Sequence, residues 1–108
     1  MSDSIKREAR QRTLVSRALE DYRSGACTLR RLCEGLQALT LELRLVPQEW
    51  LVDFQAEANA LEVLYAVALD RDVLDDLPAD YRTDIDETLA HIEALMAQLP
   101  ALPDYKGA

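Results

Sequence analysis

The segment LDRDVLDDLPADYRTDIDE, from Leu69 to Glu87, places eight carboxylates within eighteen positions and could in principle bind a cation. An EF-hand calcium loop needs oxygen ligands at alternate positions, a central glycine and a glutamate at position twelve. A loop that starts at Asp70 has Leu74 at position five and Asp75 at position six, with no glycine. The sequence therefore argues against a calcium loop, and we predict no metal site.

The other candidates for chemistry are a single histidine and the nucleophilic side chains. His91 is the only histidine, and Glu87 lies one helical turn before it. A di-iron bundle needs a Glu-x-x-His motif on each of two helices, and the chain has none. Serine- and cysteine-based arrangements lack a base, and no glycine-rich loop could cradle a phosphate. We therefore expect no catalysis and no cofactor.

Cys27 and Cys33 are the only cysteines. Their spacing matches no zinc pattern, and one pair makes a poor disulfide framework. We interpret them as small, reduced, buried thiols on a helix face.

Two interpretations of the acidic segment remain: a solvated connection between helices, or a surface for a basic partner. Asp80 and Asp84 lie near the start of a predicted helix, where the helix dipole favours negative charge. Asp70 and Asp72 lie at the end of the preceding helix, where the same dipole opposes it. Choices that oppose stability are often functional, although solubility alone also accounts for such a surface.

A second acidic group precedes this segment. Glu49, Asp53 and Glu57 recur every four residues, and each like-charged pair costs about 0.2–0.5 kcal/mol in a helix. The candidate partner-binding residues are therefore Glu49, Asp53, Glu57, Asp70, Asp72, Asp75, Asp76, Asp80 and Asp84.

Charge is distributed unevenly along the chain. Residues 1–31 carry a net charge of +4 and residues 32–108 a net charge of −12, which gives −8 overall. An acidic protein repels nucleic acid and attracts basic surfaces. We expect the cations of the first helix, such as Lys6, Arg7, Arg10, Arg12 and Arg17, to be solvated and to pair with neighbouring acids.

Hydrophobic periodicity predicts four helices and no strand. They span about residues 4–24, 29–43, 48–69 and 79–99, and Gly25, Thr28, Pro47 and Pro78 mark their ends. The predicted fold is all-α, a compact antiparallel bundle of about four helices in one domain, 1–108, with a frayed tail from 100 to 108. The chain has no membrane span and no secretory leader, so we expect a cytoplasmic location.

Three local expectations follow from the same pattern. The third helix should be the most buried, because its second half, ALEVLYAVAL, is apolar nearly all round. Trp50 and Phe54 should pack in the core rather than anchor an interface. Gly35 costs about 1 kcal/mol inside a helix, so a close helix contact is expected there.

The pattern Leu-x-x-Tyr-x-x-Gly at 19–25, followed by Leu-Glu-x-x-Tyr-Ala at 61–66, resembles small helical immunity proteins. These belong to bacterial contact-dependent growth inhibition and related polymorphic toxin systems. The resemblance implies a non-catalytic cytoplasmic protein that binds the C-terminal domain of one cognate toxin. Many such toxins are nucleases with basic clefts, which an acidic protein can occupy or flank as a mimic of the polyanion.

The functional hypothesis is therefore a toxin-neutralising protein that acts through its acidic residues, without direct contact to nucleic acid or membrane. The alternative is a cytoplasmic helical adaptor or structural subunit that homo-oligomerises through an apolar helix face. A third interpretation, a DNA-binding regulator that uses the first helix, is opposed by the net charge of −8.

Overall fold

The computed structural model describes residues 3–102, which form four α-helices. They are α1 (Asp3–Arg23), α2 (Leu29–Glu42), α3 (Gln48–Asp70) and α4 (Ala79–Gln98). Consecutive helices pack against each other, and α4 also contacts α1, so the four form a ring in which α1 lies diagonally across from α3. The predicted all-α bundle is confirmed. No helix within these residues is long and apolar enough to cross a bilayer.

Local capping chemistry ends the first helix and starts the second, as predicted. The Thr28 hydroxyl accepts a hydrogen bond from the Arg31 N–H at 3.2 Å and so caps α2. Gly25 adopts φ +83°, and the Ala26 N–H donates to the Asp21 carbonyl at 2.7 Å, which makes a Schellman ending for α1. Glycine suits this position because it has no Cβ to clash in the left-handed region.

The core is built from apolar side chains of all four helices. Trp50 and Phe54 stack with ring centroids 5.0 Å apart and are buried, as expected. The indole N–H of Trp50 donates to the Leu95 carbonyl at 2.6 Å, which satisfies a carbonyl in the last turn of α4. The largest fully buried side chains are Phe54, Leu32, Leu36, Leu61, Ile85, Leu89, Ile92 and Val15.

The expectation that α3 is the most buried helix is wrong, since five of its 23 residues are buried, against five of 14 in α2. Leu61 and Ala68 lie in the core, but Val63 and Leu69 of the same apolar stretch are exposed. A helix in a four-membered ring touches only two neighbours, so its outward side stays uncovered whatever residues it carries.

The buried carboxylate of Glu8 was not anticipated. Glu8 is only 2% exposed, and its two oxygens accept hydrogen bonds from the Arg44 N–H at 3.0 Å and the Leu45 N–H at 2.9 Å. The connection between α2 and α3 is thereby held against α1.

Arg12, one turn after Glu8, extends this contact to the end of α4. Its guanidinium donates to the Pro100 carbonyl at 2.7 Å and to the Leu45 carbonyl at 3.4 Å. Its Nε is buried without a hydrogen-bond partner in the described residues. Burial lowers the pKa of the Arg12 guanidinium, and the negative charge of Glu8 opposes that shift.

Replacing Glu8 should be costly. Glu8→Ala removes two charge-assisted hydrogen bonds and leaves Arg12 without its nearby countercharge, so we expect it to lower the free energy of unfolding by about 3 kcal/mol. Urea unfolding measures this. Glu20→Ala, at an exposed position of the same helix, should change stability by less than about 0.5 kcal/mol. Equal losses in both variants would contradict the structural role of Glu8.

The close helix contact expected at Gly35 is absent, since a Cβ there would meet no atom within 4 Å. Gly35→Ala should therefore stabilise the protein by about 1 kcal/mol through helix propensity alone. Gly25→Ala is the matched control, and we expect destabilisation by about 1 kcal/mol because alanine is strained at φ +83°. Thermal or urea unfolding would contradict this account if both variants moved in the same direction.

Candidate protein-binding surface

The centre of the predicted surface lies where α3 and α4 run side by side. A carboxylate oxygen of Glu57 lies 3.5 Å from Nδ1 of His91, and Asp53 lies beside them in a shallow groove. Trp50 of α3 contacts Leu95 of α4, and the later residue Glu57 contacts the earlier residue His91, so the two helices are antiparallel.

The acidic side chains at the start of α4 share a face with His91. Asp80, Asp84 and Glu87 precede His91 by eleven, seven and four residues, spacings that recur on one side of an α-helix. All three are exposed. From His91 towards the start of α4, these three carboxylates form a row that extends the negatively charged surface beyond Glu57.

The structure therefore brings part of the predicted set together and separates the rest. At 1.5 Å per residue, Glu49 lies about 12 Å from Glu57 along α3, on the side away from Asp84. Asp70 is turned by about 140° from Glu57 around the helix axis, so it points away from the groove. Asp75 and Asp76 are exposed in the connection between α3 and α4, at the far end of the row.

We call the acidic surface the set that follows this groove and its end. Its residues are Asp53, Glu57, Asp75, Asp76, Asp80, Asp84 and Glu87. Glu87 belongs to the acidic segment but was not among the candidate site residues; the packing of α4 against α3 places it on the same face as Asp80 and Asp84.

The ion pairs among the described residues neutralise almost none of the negative charge of the acidic surface. The three arginine–carboxylate pairs, at 2.7, 2.8 and 3.0 Å, are Arg7–Glu42, Arg23–Glu93 and Arg30–Glu34. None of their carboxylates belongs to the acidic surface, whose one close contact with a basic side chain is that of Glu57 with His91. Arg71 and Arg82 lie within the acidic segment, yet neither forms an ion pair with the described residues.

Asp72 occupies a backbone position that normally suits glycine. It has φ +57°, the one positive value among the non-glycine residues described. The Val73 N–H donates to the Ala68 carbonyl at 3.0 Å, which is the Schellman pattern seen at Gly25. Aspartate here carries a steric cost, and its charge lies at the negative end of the α3 dipole.

The cysteines do not form a reactive pair. Cys33 is buried on α2 as expected, and burial raises the pKa of its thiol to about 11, with smaller contributions from Glu62 and Glu34. Cys27 is half-buried, but it lies in the connection before α2 rather than on a helix face. Burial and Asp21 raise the pKa of the Cys27 thiol as well.

Within residues 3–102, no group of three His, Cys, Asp or Glu side chains is arranged to hold a metal ion. Comparisons with protein-family models, with curated proteins and with solved structures gave no match.

Replacing Asp72 should make the protein more stable. We expect Asp72→Gly to raise the free energy of unfolding by about 1 kcal/mol, because it relieves the left-handed strain and removes a charge that the dipole opposes. Asp75→Gly is the control, since Asp75 does not have a positive φ and glycine there adds only backbone entropy to the unfolded chain. An increase of the same size in both variants, measured by urea unfolding, would contradict the strain at Asp72.

Proposed function

We propose that this chain is a non-catalytic immunity protein that binds and neutralises a basic toxin domain, of nuclease type, in the cytoplasm. The observation that carries the proposal is the acidic surface, whose carboxylates have almost no ion pairs within the bundle although the chain holds twelve basic residues. A nuclease cleft that accepts a polyanion offers the complementary field.

The placement of the carboxylates suits capture of such a partner. They follow one groove and continue into a connection, so a basic surface can meet several of them at once. Electrostatic complementarity raises association rates and excludes partners of like charge, more than it adds affinity. Asp72 supports the proposal in a second way, because strained residues that oppose stability are concentrated at functional sites.

A homo-oligomerising adaptor is the second candidate, and the exposed apolar side chains of α3 favour it. Against it stands the charge of that helix, which has five acidic residues and no basic one. Two copies of α3 in contact would repel each other, whereas a basic partner would be attracted.

The proposed function is tested with the C-terminal domain of the large secreted protein that we expect the neighbouring gene to encode. Co-expression should restore host growth, and a pull-down should recover a one-to-one complex that is weakened by salt. The double variant Asp75→Lys/Asp76→Lys should lower affinity by about tenfold and flatten the salt dependence.

The matched control is Glu20→Lys/Glu34→Lys, which makes the same change in net charge on α1 and α2. We expect it to reduce affinity much less than the variant in the acidic surface. Equal losses would show that net charge, and not this surface, determines binding. Absence of any complex, together with a salt-insensitive homo-oligomer, would replace the proposal with the adaptor.

A further inference from the structure

The outward side of α3 carries a row of five small exposed residues, four of them apolar. Val52, Ala56, Asn59, Val63 and Ala66 follow one another at spacings of four, three, four and three, which places them on one line along the helix. Val52 is 53% exposed and Val63 is 61% exposed, and the other three are also exposed. We call these five residues the α3 row.

Further apolar side chains border the α3 row. Val67 continues it one turn beyond Val63 and is 37% exposed. Leu69 is 54% exposed but is turned by about 120° from Val63 around the helix axis, towards the start of α2. On α2, Gln37 donates a hydrogen bond to the Asn59 side chain at 3.0 Å, and Leu41 lies one turn further along, 76% exposed. Several exposed apolar side chains aligned on one helix face are typical of interaction sites, whereas single exposed apolar residues are not.

The geometry of the α3 row suits one docked helix. The spacing is that of a helix-packing seam, and the alanines alternate with valines, so another backbone can approach closely. Asn59 lies at the middle of the row with its side-chain oxygen already bonded to Gln37, which leaves its amide nitrogen to donate to a polar group of the partner.

The charged residues beside the α3 row determine which kind of helix can bind there. Glu62 lies on one side of the α3 row and Glu49 and Asp53 on the other, and α3 has no basic residue. A second copy of α3 would bring like charges together, so the row is not suited to a homodimer of this helix. Lysine or arginine residues on either side of an apolar stripe would meet these carboxylates.

We propose that the α3 row binds an amphipathic helix of another protein, one with a narrow apolar stripe flanked by lysine and arginine. This rests on the proposed function and deepens it, since it names the structural element of the basic partner that α3 receives. The mode is that of a helix laid along an apolar groove, with anchors at helical spacing. The carboxylates beside the row orient the helix, and the valines retain it.

The test uses two synthetic peptides of identical composition. One forms a helix with a leucine stripe flanked by lysines, and the other is a scrambled sequence without a stripe. Titration into the full chain at low and high salt should show one-to-one binding of the amphipathic peptide. Its affinity should exceed that of the scrambled peptide by tenfold or more.

The variant Val63→Glu distinguishes the contribution of apolar contact to peptide affinity from the contribution of charge. The substitution adds a negative charge, which by electrostatics alone would strengthen binding of a basic peptide, but it interrupts the α3 row. We expect a loss of affinity of at least tenfold. Leu14→Glu adds the same charge on the diagonally opposite helix and should leave affinity unchanged or slightly raised. Val63→Ser, with circular dichroism as the check on folding, should lose affinity without any change of charge.

Three results would overturn this inference. Equal binding of both peptides with no loss in Val63→Glu would show attraction by charge alone, and would leave the proposed function intact. A dimer of the free protein that Val63→Glu disrupts would show that a second copy covers the α3 row. Absence of peptide binding at low salt would also overturn it, while co-expression with the toxin domain decides the proposed function separately.

Discussion

The alignment of the helices at one end of the bundle depends on the hydrogen bonds that the buried Glu8 carboxylate accepts. The carboxylate fixes the α2–α3 connection against α1, and Arg12 and Trp50 add hydrogen bonds that hold the end of α4 at the same end of the ring. Charge-assisted bonds to backbone groups are directional, so they set register in a way that leucine packing does not. The opposite end, where Asp75 and Asp76 lie, takes no part in this network.

Local signals explain why most of the fold could be predicted from the sequence. Thr28 bonds a backbone group three residues away, and Gly25, Pro47 and Pro78 act through their own backbone conformation, so the helix ends were placed within a residue or two. The role of Glu8 could not be found in this way. Its partners lie 36 and 37 residues further along the chain, and a glutamate on a helix is ordinarily assigned to the solvent side.

The candidate site was only partly predictable, for a related reason. Spacing alone placed Asp53 with Glu57 and Asp80 with Asp84 on common helix faces. Whether the two faces meet depends on the antiparallel register of α3 and α4, which the Glu57–His91 and Trp50–Leu95 contacts reveal. The error about α3 has the same origin, because hydrophobicity does not say which side of a helix has neighbours.

The order of the helices also explains why the basic residues of α1 do not pair with the carboxylates of α3. The basic residues concentrate on α1, but α1 lies diagonally across the ring from α3, the one helix without a cation. An arrangement with α1 beside α3 would pair these charges internally. Instead the acidic surface and the α3 row share α3 and remain open to one partner, which can satisfy both. Charge acts over roughly 8–10 Å and governs encounter, whereas apolar contact acts at the surface and governs dissociation. A surface that combines them can capture a basic partner quickly and release it slowly, which the proposed neutralisation of a toxin requires.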